Sequence, residues 1–338
     1  MTRLSPYITR GVISLPEIAD IILQKYSLAQ GKKFIQELSW REYFNKVYLS
    51  RRDEIFSDLK NAQPNVRHLG VPQVLFSGET FIATLDGGIQ DLIEKGYIHN
   101  HMRMWLAGFV TGFAKFHWYE PSRWMYYHLY DGDVASNTLS WQWVAGSFSS
   151  KQYTFSQSLM DACGGVSENN YLDIDRDDFC HQDVPTFVQQ SAQEKLSWSK
   201  PASDCLIIDS GQPVLLYHPW NLNPKWRNDV VSAQKILVLE PSHFERFPVS
   251  EKVTEYIINL ARIMIPDIQV FVGEVSEIQN LDCTQEIFSQ YSIHTEHFPG
   301  NHDLVPELFP EIQGYHSSFF KFWKKCEKHL STLTERVH

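Results

Sequence analysis

The stretch Asp131–Trp143, DGDVASNTLSWQW, concentrates groups able to do chemistry: two carboxylates, a carboxamide and two indoles in one short run. Asp-Gly-Asp reads as a turn. The residues after it read as a helix entered from that loop, with Trp141 and Trp143 flanking Gln142 in a way a simple amphipathic face does not explain. Asn137 fits either a ligand contact or an N-cap ahead of the tryptophans. Near the start of the chain, Thr2 and Ser5 offer hydroxyls and backbone amides beside a helix start, which suits a pyrophosphate or an ordinary cap. Arg41 has the planar guanidinium that phosphate recognition favours, and it could equally pair with Glu37 or Asp53. The tripeptide His99-Asn100-His101 has no metal-ligand spacing around it, so it is not a nuclease motif, and its histidines read as structural or solvent-facing. The five cysteines, 163, 180, 205, 283 and 326, are odd in number and form no CxxC, which reads as reduced thiols and no metal site.

The elements that must position these groups fall into two parts. Of 338 residues, 43% are hydrophobic and 14% aromatic, with ten Trp, a high count for a side chain that needs a packing or stacking role. The net charge of −10 is uneven: residues 1–160 hold 16 basic and 14 acidic side chains, residues 161–338 hold 14 and 26. The first part can face phosphates, and the second repels them. No run approaches the ~20 apolar residues of a membrane span. The opening MTRLSPYITRGVIS lacks a signal-peptide pattern, so a cytoplasmic protein is expected.

Apolar spacing predicts helices over 15–30, 32–50, 83–95 (with Gly96 as C-cap), 98–117, broken at 118–122, and 122–130. Residues 147–185, rich in Ser, Asp, Asn and Gly, read as loops over a helical core. Beyond residue 203 the pattern turns to short β-rich runs at 205–209, 213–218, 235–241 and 268–274, with a helix over 249–265. Strand–helix–strand of this length predicts a small parallel sheet. The segment from Tyr315 to Leu330 reads as one amphipathic helix, its stripe imperfect at Phe320, Trp323 and Glu327, docked on the protein rather than on a membrane. The expected architecture is a mostly α N-terminal domain over 1–200 and a small C-terminal α/β domain with a parallel sheet over 201–338.

Four blocks, TRLSPYIT (2–9), FIQELSWREYF (34–44), IHNHMRM (98–104) and DGDVASNTLSWQW (131–143), resemble successive blocks of the photolyase/cryptochrome flavin domain, in its order and roughly its spacing. The resemblance implies a helical domain holding FAD bent into a U. It implies FAD contacts from Thr2, Leu4, Ser5, Arg41, Arg103, Asp131, Asp133 and Asn137. Arg103 and Asp131 are similar to the pair over the flavin ring, where a fixed positive charge would favour an anionic reduced flavin. Asn137 stands where repair enzymes carry Asn and the plant and insect photoreceptor branches tend to carry Asp or Cys. An Asn cannot readily pass a proton to the ring. Glu37, Trp40, Asn100, Met104 and Trp143 match the contacts to a cyclobutane pyrimidine dimer, with Trp40 and Trp143 as flat walls for a flipped-out dinucleotide and Met104 as an adaptable filler. The branch acting on (6-4) photoproducts has His at the positions of Asn100 and Met104. Trp141 and Trp118 resemble the proximal and middle members of the electron-hopping chain; the distal member has no counterpart, with Tyr97, Trp105, Trp124 and Tyr126 as substitutes.

The resemblance also has departures. The family places an α/β antenna domain before the flavin domain, whereas here α/β material follows it, as in a short, permuted arrangement. No folate or deazaflavin antenna chromophore is expected, and a tyrosine the family uses near the FAD phosphates has no counterpart. The implied activity is FAD-dependent, blue-light-driven repair of cyclobutane pyrimidine dimers in DNA. The alternative is a cryptochrome-like photoreceptor with the 147–185 segment and the acidic second half as output surfaces. Damaged DNA is the expected partner, with a preference for single strands because the acidic half weakens attraction along a duplex.

Overall fold

The computed structural model describes residues 2–335 except 169, 173, 175–177, 282, 283 and 285, so Cys283 lies outside the described residues. The chain forms two compact units, one of residues 1–50 with 197–338 and the other of residues 51–196. Where a single domain over 1–200 was expected, the first fifty residues group with the α/β material instead of with the helices that follow them.

In chain order the helices are α1 (Ser5–Thr9), α2 (Leu15–Lys25), α3 (Leu28–Arg51), α4 (Val74–Ser77), α5 (Ala83–Lys95), α6 (Asn100–Gly108), α7 (Tyr119–His128), α8 (Val134–Ala145) and α9 (Gln157–Ala162). Local chemistry sets their ends. Ser14 and Glu17 form a reciprocal capping box at the start of α2. The expected helix over 15–30 stops at Lys25 because Tyr26 is extended, and α3 restarts at Leu28. Gly96 ends α5 in the left-handed region, as the sequence predicts.

The expected continuous helix over 98–117 is instead α6 followed by a π-turn, Phe109–Phe113, in which the Ala114 amide donates to the Phe109 carbonyl. Lys115, at φ 61°, then turns the chain away. This break falls earlier than 118–122, and α7 already begins at Tyr119. Among the described residues of 147–185, only the short α9 interrupts the loops. The helical unit closes on an aromatic core that includes Trp105, Phe109, Phe113, Trp118, Trp124, Trp141 and Phe155.

In the other unit five strands, β1 (Val214–Tyr217), β2 (Gln234–Leu239), β3 (Gln269–Val272), β4 (Ile287–Gln290) and β5 (Asn301–Asp303), form one parallel sheet in the order β3-β2-β1-β4-β5. β1 lies centrally and is buried along its whole length, as an all-apolar VLLY run requires. The expected strand–helix–strand unit is present as β2, α10 (Pro241–Arg246), α11 (Glu251–Met264) and β3. Residues 205–209, expected as a strand, do not form one. The chain just before them meets the β3 edge largely through side chains: Val270 N–H donates to the Asp204 carboxylate at 2.8 Å and Val272 N–H to Ser203 Oγ at 3.1 Å, beside one backbone bond from Asp204 N–H to the Val270 carbonyl. Such side-chain acceptors replace ladder bonds and blunt the edge.

The C-terminal segment is not one helix but α12 (Phe319–Cys326), a 3-10 turn and α13 (Leu330–Glu335). It buries Phe319, Phe322, Trp323 and Cys326 and leaves Phe320 exposed. α3 holds the chain that leads into it: Glu42, buried, accepts from the amides of Leu308 and Phe309, and burial keeps its carboxyl above the usual range. Cys163, Cys180, Cys205 and Cys326 are free thiols, and burial pushes Cys326 up to about 12. No helix among the described residues is long and apolar enough to cross a membrane.

Candidate functional site

The helical unit carries Arg103, Asp131, Asp133, Asn137, Trp141, Trp143, Asn100, Met104 and Trp118; Thr2, Leu4, Ser5, Glu37, Trp40 and Arg41 lie in the other unit. Within the helical unit, α6 and α8 do most of the positioning. Arg103 on α6 donates from one terminal nitrogen to both oxygens of Asp131, each at 2.9 Å, and its Nε donates to the Ile98 carbonyl at 3.0 Å. The Asp131 side chain is 2% exposed and that of Arg103 24%, so the cation is held by a carboxylate almost wholly removed from water. Opposite charges in such surroundings attract strongly enough to fix geometry.

Two residues on, Asp133 caps α8, its Oδ1 accepting from the Ser136 amide at 2.7 Å. The N-cap is therefore Asp133 and not Asn137, which frees Asn137 from that ordinary role. Asn137 instead donates its amide to the Ser122 carbonyl at 2.9 Å, tying α8 to α7 and fixing the carboxamide plane.

Gln142, between the two tryptophans, resolves their spacing. It is fully buried, its Nε2 donating to the Ile55 carbonyl at 2.6 Å and its Oε1 accepting from the Leu59 amide at 3.0 Å. α8 is thus buried on several sides, with Trp141 turned into the core and Trp143 37% exposed beside Tyr153, ring centroids 6.1 Å apart. Two buried polar atoms on this helix, Ser136 Oγ and Trp141 Nε1, have no hydrogen-bond partner. Buried polar groups are rarely left so, and a polar cofactor against α8 would satisfy them.

On α6, Asn100 is exposed and its Nδ2 lies 3.6 Å from the sulfur of Met104. His99 caps the helix, its Nδ1 accepting from the Met102 amide at 3.2 Å, and His101 stacks on Trp105. Burial and the neighbouring His101 and Arg103 hold the His99 imidazole below its usual range, consistent with that acceptor role. Trp118 is completely buried and its indole N–H donates to Asp58 Oδ1 at 2.7 Å. Sequence reasoning passed over Asp58; an acid in a polar loop carries no periodic signal. Of the substitutes for a distal electron donor, Trp105, Trp124 and Tyr126 are buried, and the rings adjacent in sequence that lie against Trp118 are His117 at 5.6 Å and Tyr119, edge-on at 5.5 Å.

In the other unit, α1 begins with Leu4 at the N-cap position and no side-chain cap, so Thr2 and Ser5 are not the helix's own cap. Glu37 pairs with Lys33 at 2.7 Å on an exposed face of α3, and Arg41 is half-buried. Trp40 departs from the expected open wall. Phe319 of α12 stacks on it face to face, centroids 3.6 Å apart and planes 10° from parallel, because the apolar stripe of α12 needs cover and Trp40 supplies it.

The paired charge and the unsatisfied groups on α8 fit a polar cofactor. Residues 34–192 match the family model of the FAD-binding domain of DNA photolyase. Over 146 residues the chain is 34% identical to a deoxyribodipyrimidine photo-lyase of Streptomyces griseus, covering 43% of this chain and 32% of that one. It is 27% identical over 158 residues to a cryptochrome DASH of Gloeobacter violaceus, covering 43% and 30% respectively. A solved bacterial class III photolyase from Agrobacterium tumefaciens aligns at 26% identity over 43% of this chain and 32% of that chain, with a TM-score of 0.38. Over this segment the chain is similar to members of the photolyase/cryptochrome family. It spans about a third of the length of the curated relatives it matches.

Proposed function

We propose that this chain binds FAD and uses blue light to split cyclobutane pyrimidine dimers in DNA. The observation that carries the reading is the Arg103–Asp131 pair, a fixed cation on a buried carboxylate inside the segment that matches the FAD-binding domain. FAD, when bound, supplies light-driven one-electron transfer to the dimer and takes the electron back after the ring opens. Arg103 offers positive potential to a reduced flavin, and Asp131 stops that charge from turning toward water. Asp133 and Asn137 address the polar edge of the ring; Asn137, its amide committed to Ser122, holds no exchangeable acid proton to donate. Thr2, Leu4, Ser5 and Arg41, in the other unit, are assigned to the phosphates by the resemblance alone. Trp143, partly exposed, supplies an apolar wall for the flipped bases, with Asn100 and Met104 at their edges, and Glu37, in the other unit, is assigned to the lesion by the resemblance alone. Trp141 and Trp118 return electrons to a flavin that has become oxidised.

One observation favours a second reading, a cryptochrome-like light sensor: one face of Trp40, a residue assigned to the lesion by resemblance, is stacked on Phe319. The experiment that separates the two is direct. FAD-loaded, chemically reduced protein is mixed with a dimer-containing oligonucleotide, illuminated with blue light, and followed by recovery of thymine absorbance. Recovery supports repair. Its absence while the flavin stays bound and photoactive sinks repair and leaves the sensor. Running single-stranded and duplex oligonucleotides side by side tests the strand preference, which equal affinities would remove.

A further inference from the structure

Trp118 has an unusual partner for a buried indole. Its N–H points at a carboxylate, Asp58 Oδ1, at 2.7 Å, where a neutral carbonyl would have met the hydrogen-bonding need. Two other buried indoles of this unit, Trp124 and Trp141, have no partner for theirs. The contact is held by more than itself. Asp58 Oδ2 accepts from the Gln63 amide at 2.8 Å, while Gln63 Oε1 accepts from the Trp118 amide at 2.9 Å and Gln63 Nε2 donates to the Phe116 carbonyl at 2.8 Å. The 58–63 loop is therefore clasped to residues 116–118 by three hydrogen bonds and closed on itself by the fourth, from the Gln63 amide to Asp58, with the carboxylate fixed against the indole. Asp58 is also the polar outlet of the pair: its side chain is 24% exposed, and His117 Nε2 lies 3.6 Å from Oδ1 with a side chain 29% exposed, whereas Trp118 itself is sealed.

An indole N–H is not an acid until an electron is removed from the ring; it then becomes as acidic as a carboxylic acid. We infer that Asp58 accepts the Nε1 proton of Trp118 when Trp118 is oxidised, so that the light-driven hole is trapped at the Trp118–Asp58 pair. The inference rests on the flavin reading above and deepens its electron route. The balance is simple. A photoexcited oxidised flavin gains one electron, relayed through Trp141 from Trp118. Trp118 then loses the Nε1 proton to Asp58 Oδ1, leaving a neutral indolyl radical, a protonated carboxyl and the electron on the flavin. A thiol-class reductant in solution later returns one electron to Trp118, and Asp58 returns the proton. Loss of the proton removes the positive charge that would otherwise draw the electron back, so the chain can stop at a buried residue without a surface tryptophan.

The test uses the full chain loaded with oxidised FAD, time-resolved visible absorption, and the distinct spectra of the indole cation and neutral radicals. In the unsubstituted protein the cation converts to the neutral radical, and the conversion slows in D2O. In Asp58→Asn, which keeps an acceptor of the same shape, the neutral-radical signal is lost and the cation decays by recombination with the flavin. Trp118→Phe assigns the signal to this residue by removing it. A neutral radical formed equally fast in Asp58→Asn, or conversion with no solvent isotope effect, overturns the assignment of Asp58 alone. If FAD binds and no tryptophan radical of either kind appears in the unsubstituted protein, the electron route itself fails and the inference with it. Failure to bind FAD at all refutes the underlying reading, an outcome recognisable before any light is applied.

Discussion

Substituting Asp131 by Asn keeps the shape of the side chain and removes its charge, which tests how far the Arg103–Asp131 pair organises the helical unit. Removing one partner of a buried ion pair costs about 3–5 kcal/mol, because the other charge is stranded. Here the stranded group is Arg103, whose side chain is 24% exposed and keeps its Nε bond to the Ile98 carbonyl. Water screens part of its charge, so the expected loss is roughly 2–3 kcal/mol. Hydrogen exchange of the slowest amides of α6 and α8 reads this unit by itself, and they should exchange faster by the corresponding factor, about 30- to 150-fold. A cycle with Arg103→Met isolates the pair. The double variant Arg103→Met/Asp131→Asn should be less destabilised than the two single changes added together, since no lone charge is left behind. A loss under about 0.5 kcal/mol for Asp131→Asn, the ordinary effect of a surface change, or strict additivity in the cycle, would refute the reasoning.

Other outcomes follow from the same structure. Trp143→Ala should impair dimer repair while FAD stays bound, measured by thymine absorbance and by flavin retention on gel filtration; loss of the flavin instead would place Trp143 in the cofactor site. The α/β unit should lose stability on acidification. His218 is fully buried, donates Nε2–H to or shares it with the Gln290 carbonyl, and burial lowers it to about 4, while an unfolded chain titrates near 6.5. Between these values the unfolded state binds the extra proton, so stability falls as pH drops from 6.5 to about 4, by roughly 3 kcal/mol from this residue, with buried His243 acting in the same direction. His218→Gln should flatten the slope in urea titrations across that window, and an unchanged slope would remove His218 from the account. Gly300 sits at φ +86° where a Cβ would meet the Ile287 carbonyl oxygen at 2.3 Å, so Gly300→Ala should destabilise the β4–β5 edge by about 2 kcal/mol or more in chemical unfolding.

Most of the helical unit was legible in the sequence, for a physical reason visible at particular residues. Gly96 at a C-cap and the apolar spacing of 83–95 act within one or two turns of chain, so local pattern suffices. The Asp-Gly-Asp turn led into α8 as read, because turn chemistry is also local. The β1, β2 and β3 runs announced themselves by their apolar, β-rich cores, of which VLLY is buried along its whole length as a doubly covered parallel strand requires. β4 and β5 did not, since IFSQ and NHD are short and partly polar and become strands only by pairing, β4 with β1 and β5 with β4.

What the sequence alone determined was the identity of the chemical groups: the acids, carboxamide and indoles of 131–143, their order, and their likeness to a flavin-binding segment. Tertiary structure decided which of them are engaged and by what. It made Asp133 the cap and so left Asn137 for another role, it buried Gln142 as the knot between α8 and the 55–59 loop, and it set Asp58 against Trp118 across sixty residues of chain. It also spent one face of Trp40 on Phe319, nearly the full length of the sequence away. Such contacts join residues whose local sequences carry no trace of each other, because hydrogen bonds and ring stacks depend on where side chains meet in space and not on the periodicity of either segment.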